Sequence, residues 1–319
     1  MERSKLEEAS KLGLLNDEQV EPLLQYLNNG SVSKNSEEQL RFVRSFGDIF
    51  ITLGIVFVMV AAAKLNMSSY ENIIPLVVSI ATAEWLVRIR RLALPGIALL
   101  VSIIYFASRL VDFSFSDPAL MNTLFLTVLA ALFYFRYKMP FTLMPIAVGV
   151  ISILSMLLEI NLDEIQYMAS VYGLLVFSVA MWFDSQDTGR NNRLSDSAFW
   201  LHLLAAPLIV HGVMITVLTS ANLVEYKEVF IISFFIVFFL LALYVDRRAL
   251  LVSSLSYAIY AVIQIANENG QGIENLTLMV FVAFGAFIIF FGANWYKVRN
   301  IIFSKLSNAW LSHYVPKFC

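Results

Sequence analysis

Charge is the first thing this sequence lacks. Only 14% of its 319 residues are charged and 59% are apolar, where a soluble globular chain carries about a quarter charged residues and under half apolar ones. An ordinary water-facing surface is therefore excluded. Cysteine is nearly missing too. Cys319 stands alone, so an intramolecular disulfide and a Cys/His metal cluster are both excluded, and no prenylation box is expected from the ending Val-Pro-Lys-Phe-Cys. Histidine occurs three times, never as HExxH, and neither a Gly-rich phosphate loop nor a Ser/His/Asp arrangement is present. The stretch Asp184-Ser-Gln-Asp187-Thr-Gly-Arg190 reads as a loop without the further acids and closing Glu of a calcium site. The expectation is no catalytic residue, no metal and no cofactor. A net charge of −2 without a basic stripe gives nucleic-acid binding no support either.

What the chain does have is long apolar runs. Ten can be marked: Gly47 to Lys64, Ile73 to Val87, Leu92 to Ser108, Leu120 to Phe135, Pro140 to Leu158, Tyr167 to Phe183, Ala198 to Leu218, Val229 to Val245, Ala249 to Ala266 and Leu276 to Ala293. Most approach the roughly twenty residues that cross a hydrocarbon core of about 30 Å, and they neither alternate nor carry a polar helical face. The fold expected is all-α, a polytopic transmembrane bundle of about ten spans. Nineteen of the 22 Lys and Arg fall in alternate connections and the two tails, leaving only Lys64, Arg109 and Lys227 on the other side. Under the positive-inside rule both termini are cytoplasmic. Trp85, Trp182, Trp200 and Trp295 fall at the cytoplasmic span ends, where indoles prefer the headgroup level.

Three parts follow. Residues 1–45 form a small cytoplasmic helical module, with Asn16 or Asp17 capping a helix whose Val20, Leu23, Leu24 and Leu27 share one face, Gly30 stopping it and Ser31 to Ser36 linking on. These residues are polar, so no cleavable leader is expected and the first span serves as its own insertion signal. Residues 46–296 form the transmembrane domain. Residues 297–319 make an amphipathic tail for the inner leaflet.

Polar groups inside the runs mark the candidate sites. His202 and His211 lie nine residues apart, about 13 Å along the axis and on opposite faces of a straight helix, so they cannot share a metal unless Pro207 kinks it. They read as interhelical hydrogen-bonding groups or as steps of a substrate or proton path. Ser253, Tyr257, Tyr260 and Gln264 line one helix face, either as a cavity wall or as ordinary interhelical contacts. Glu84 is within reach of Arg88 at i+4, and Arg109 of Asp112 at i+3; both read as structural ion pairs. Asp48 reads as a first-turn carboxylate favoured by the helix dipole. Gly285 and Gly292 stand one heptad apart and permit close helix contact.

Asp196-Ser-Ala-Phe-Trp-Leu-His-Leu-Leu-Ala-Ala-Pro-Leu-Ile-Val-His211 and Asp246-Arg-Arg-Ala-Leu-Leu-Val-Ser-Ser254 resemble a group of uncharacterised bacterial multi-pass inner-membrane proteins, as does the tail with Trp295-Tyr-Lys-Val-Arg299. The resemblance implies a bacterial inner-membrane location and supplies no activity. Two functions stay open. Five and five spans of inverted topology suit a small-molecule transporter or permease with Pro145 and Pro207 as helix breaks and His202, His211, Ser253, Tyr257, Tyr260 and Gln264 as substrate groups. A non-catalytic scaffold, sensor or assembly factor would instead use the N-terminal module and tail to meet a cytoplasmic protein. The lipid bilayer is a partner in either case.

Overall fold

A computed structural model describes residues 2–13, 15–16, 19–24, 43, 45–65, 70–111, 117–190, 192–220, 226–268, 273–304 and 314–315. The chain divides into two compact units, Met1–Gln39 and Leu40–Cys319. In the first, helix α1 (Glu2–Lys11) ends at Gly13 with φ +72°, the left-handed stop expected of glycine. Asn16 then opens a second helical stretch over 19–24: its N–H donates to Gln19 Oε1 at 3.1 Å, and Val20 is buried beneath. The expected cap Asp17, the face residue Leu27, Gly30 and the linker Ser31 to Ser36 lie outside the described residues, as do Asp112 and most of the tail.

The described residues of the second unit form helices and the turns between them, with no strand among them. In order come α2 (Phe46–Lys64), α3 (Ile73–Ala83), α4 (Ala93–Leu110), α5 (Pro118–Tyr137), α6 (Leu143–Leu157), α7 (Leu162–Gln186), α8 (Arg193–Thr219), α9 (Lys227–Val245), α10 (Ala249–Glu268) and α11 (Ile273–Phe303). Among the described residues, nine helical stretches are long and apolar enough to cross a membrane, Tyr70–Ile89 and Pro140–Leu157 among them. The expected ninth run falls on α10, whose apolar length reaches past the described side chains at Gln264.

Between helices apolar enough to cross a membrane, association depends on small residues that let backbones approach. The α7–α8 pair, the most extensive contact among the described helices, is built that way. Ala180, Ala205 and Ala206 have no exposed surface. A Cβ at Gly173 would meet the Ile209 amide nitrogen at 2.7 Å, and one at Gly212 would run into the Ser170 backbone. The close-contact expectation for Gly285 and Gly292 is corrected here: among the described residues nothing lies within 4 Å of a Cβ built at either. Two apolar cores result. One joins the ends of α3, α4 and α5 around Leu86, Leu99, Ile103 and Phe133; the other is centred on α8 and reaches α7, α9, α10 and α11.

Helix breaks sit at span ends. Pro207 lies within an uninterrupted α8, and Pro145 in the first turn of α6. The irregular places are a π-helical segment, Glu84–Ile89, and a kink in α11 at Asn294 (φ −113°, ψ 16°). The turns after α3, α5, α7 and α9 each pass through a left-handed residue that is not glycine: Arg91 (φ 56°), Lys138 (53°), Arg190 (53°) and Asp246 (60°). Four strained turns at one end of the bundle, each carrying charge, are unusual for residues with a Cβ.

Candidate functional site

The charged residues of those turns form two constellations on either side of the α8 N-terminus. The first is buried. Asp184, in the last turn of α7, is 4% exposed and accepts from Arg247 through both carboxylate oxygens, with Arg247 Nε at 3.1 Å from Oδ2 and Nη2 on Oδ1. Its Oδ2 also meets His202 Nε2 at 2.9 Å. Arg247 Nη2 donates further to Ser195 Oγ at 3.0 Å and to the Ser195 carbonyl. The neighbouring Asp246 pairs with Arg190 at 3.0 Å and accepts from Trp295 Nε1 at 2.6 Å, while Arg190 Nη2 donates to the Asp246 carbonyl at 2.6 Å. Arg299, past the kink of α11, donates to the carbonyls of Leu243 and Tyr244 at the end of α9. In this way α7, α8, α9, α10 and α11 are tied at one end. A charge this deep is tolerated only when paired and hydrogen-bonded, and each of these groups is.

The second constellation is open. Glu84 holds Arg88 at 3.2 Å as expected, and also Arg136 through Nε and Nη2 (2.8 and 2.9 Å) and the Tyr137 hydroxyl at 3.0 Å. Beside it a cavity of about 430 Å³ is lined by Arg88, Arg91, Arg136, Lys138 and Arg193, with Asp196 the acid among its walls. Arg193 Nη1 donates to the Lys138 carbonyl at 3.3 Å, which closes the rim between α8 and the α5 end.

The candidate residues scatter. His202 turns into the buried network, with its ring edge-on to Phe177 at 5.2 Å. His211 faces the other way and its Nδ1 meets the Tyr257 hydroxyl at 2.6 Å, joining α8 to α10 as opposite helix faces require. Ser253, Tyr260 and Gln264 share the face of Tyr257, with no hydrogen bond among the described residues. Two further cavities, of about 230 and 380 Å³, have mostly apolar walls around Leu154 with Tyr172 and around Thr127 with Gly149; neither is lined by the candidate groups. Arg109 is exposed at the end of α4. Asp48 caps α2, accepting from Ser45 Oγ at 3.0 Å, as the dipole argument requires.

Sequence reasoning missed Asp184, read there as loop, counted Arg190, Arg247 and Arg299 among the cations of the connections and tail, and placed Trp295 at the headgroup level, although each is buried. The available signal was an acid and a base in each of two connections between long apolar runs, Asp184 with Arg190 and Asp246 with Arg247. It marks the places but not the pairings, since Asp184 meets Arg247 and Asp246 meets Arg190. No protein-family model, curated protein or solved structure matches the chain.

Proposed function

We propose that the chain is a ten-span protein of a bacterial inner membrane, with both termini in the cytoplasm, acting as a non-catalytic scaffold or sensor at the inner leaflet. One observation carries the reading. The described ionisable groups that are buried in the bundle, among them Asp184, Arg190, His202, Asp246, Arg247 and Arg299, are committed to partners within the bundle at one end. Groups so engaged stabilise a shape and are not available to bind or couple a cargo. The Lys and Arg asymmetry supports the orientation, and the compact Met1–Gln39 unit supports a docking module for a cytoplasmic protein.

Transport of a small molecule keeps one observation in its favour, the His211–Tyr257 contact within the spans. A thermal-shift screen of the detergent-purified full chain against soluble metabolites and ions separates the two, since a ligand at a hundred times its dissociation constant adds about 2.7 kcal/mol. The scaffold reading expects no soluble hit. A hit that disappears in Gln264→Leu or His211→Ala overturns it in favour of transport. A reporter fused after Asn267 should read as non-cytoplasmic; a cytoplasmic signal contradicts the ten-span topology.

A further inference from the structure

We propose that the basic cavity at the ends of α3, α5 and α8 binds phosphate, and that the phosphate is the headgroup of an acidic membrane lipid. Five basic residues, Arg88, Arg91, Arg136, Lys138 and Arg193, and one acidic residue, Asp196, line about 430 Å³. Glu84 neutralises part of Arg88 and Arg136 from behind. Among the described residues no carboxylate pairs with Arg91 or Arg193. Like charges brought together from three separate turns repel unless an anion sits between them. Guanidinium forks suit phosphate oxygens, and the volume is that of an ordinary ligand site.

The surroundings favour lipid over a soluble phosphate. The cavity opens at span ends, where Ile89, Trp85 and Phe135 are 70%, 53% and 66% exposed on the outer faces of the same segments. Acyl chains can run down those faces while the headgroup turns in. Arg90 lies over the Trp85 ring at 5.5 Å and the Lys138 ammonium over Phe135 at 5.2 Å, the arrangement of an interfacial belt. Basic pockets between spans on the cytoplasmic side take acidic headgroups for this reason. Two of the contributing residues, Arg91 and Lys138, occupy left-handed turns that glycine would fill without strain.

The inference rests on the inner-leaflet reading above, but its test is separate. The full chain is placed in nanodiscs of phosphatidylcholine with and without phosphatidylglycerol, and retained lipid is counted by native mass spectrometry after extraction. The wild type should retain phosphatidylglycerol selectively. The Arg91→Ala/Arg193→Ala pair should weaken that retention about tenfold or more, the weight of two interfacial cations. The Arg248→Ala/Lys297→Ala pair removes the same charge outside the cavity and should leave retention unchanged. Equal loss in both pairs, or in neither, overturns the site. Inorganic phosphate and glycerol 3-phosphate are tested on the protein in neutral detergent; their binding through Arg91 and Arg193 without phosphatidylglycerol retention overturns the lipid assignment. Should the alanine pair not fold, Arg91→Lys/Arg193→Lys decides, since lysine keeps the charge and loses the fork: weaker retention supports the site and unchanged retention overturns it. A soluble hit lost in His211→Ala would sink the scaffold reading and leave this result standing.

Discussion

Arg247 and Arg91 both lie in the turn that follows a span, yet Arg247 is 1% exposed and clasps Asp184 and Ser195, while Arg91 lines an open cavity. The same contrast holds for the left-handed pairs: Arg190 and Asp246 are spent on each other, whereas Lys138 and Arg91 face a common space. The difference lies in the neighbours. Around Arg247 the Asp184 carboxylate and the Ser195 hydroxyl arrive from adjacent helices; around Arg91 mainly further cations do. Position at a span end is therefore shared by two kinds of arginine, one that holds helices together and one that waits for an anion.

The comparison can be broken by single substitutions in a thermal-unfolding assay of the detergent-purified protein. The largest effect belongs to Asp184→Ala, which strands Arg247 and His202 in the interior and should cost about 3–5 kcal/mol. Next, Arg190→Gly relieves left-handed strain of about 1 kcal/mol but leaves Asp246 unpaired, for a net loss of about 2–4 kcal/mol. Lys138→Gly, at the same backbone conformation with an exposed side chain, should instead gain about 1 kcal/mol. A loss at Lys138→Gly, or no loss at Arg190→Gly, would show that the two turns are not distinguished by their partners. Gly212→Ala drives a methyl into Ser170 and should cost about 1–3 kcal/mol, while touching neither constellation. The smallest effect expected is Tyr257→Phe, about 0.6 kcal/mol for one interhelical hydrogen bond; a much larger loss would assign His211 a greater part in the bundle.

The helices themselves were legible, because a run of about twenty apolar residues has few alternatives in water or lipid. Their ends fall close to expectation from Phe46–Lys64 to Lys227–Val245. Local pairings were legible as well: Glu84 reaches Arg88, and His202 and His211 part to opposite faces. What stayed hidden was tertiary. Glu84 meets Arg136 across 52 residues and Arg247 meets Asp184 across 63, and nothing in either local stretch says which arginine is buried. Counting cations by side of the membrane treats every arginine as solvated, and that step concealed both the buried network and the cavity.

The central claim is that the buried network carries stability and the cavity does not. Thermal unfolding of Asp184→Ala beside Arg91→Ala/Arg193→Ala, in neutral detergent without acidic lipid, tests it most directly. The account predicts a large loss for Asp184→Ala and an unfolding temperature for the double variant at or above that of the wild type, since mutual repulsion is relieved. Equal losses in the two would contradict it.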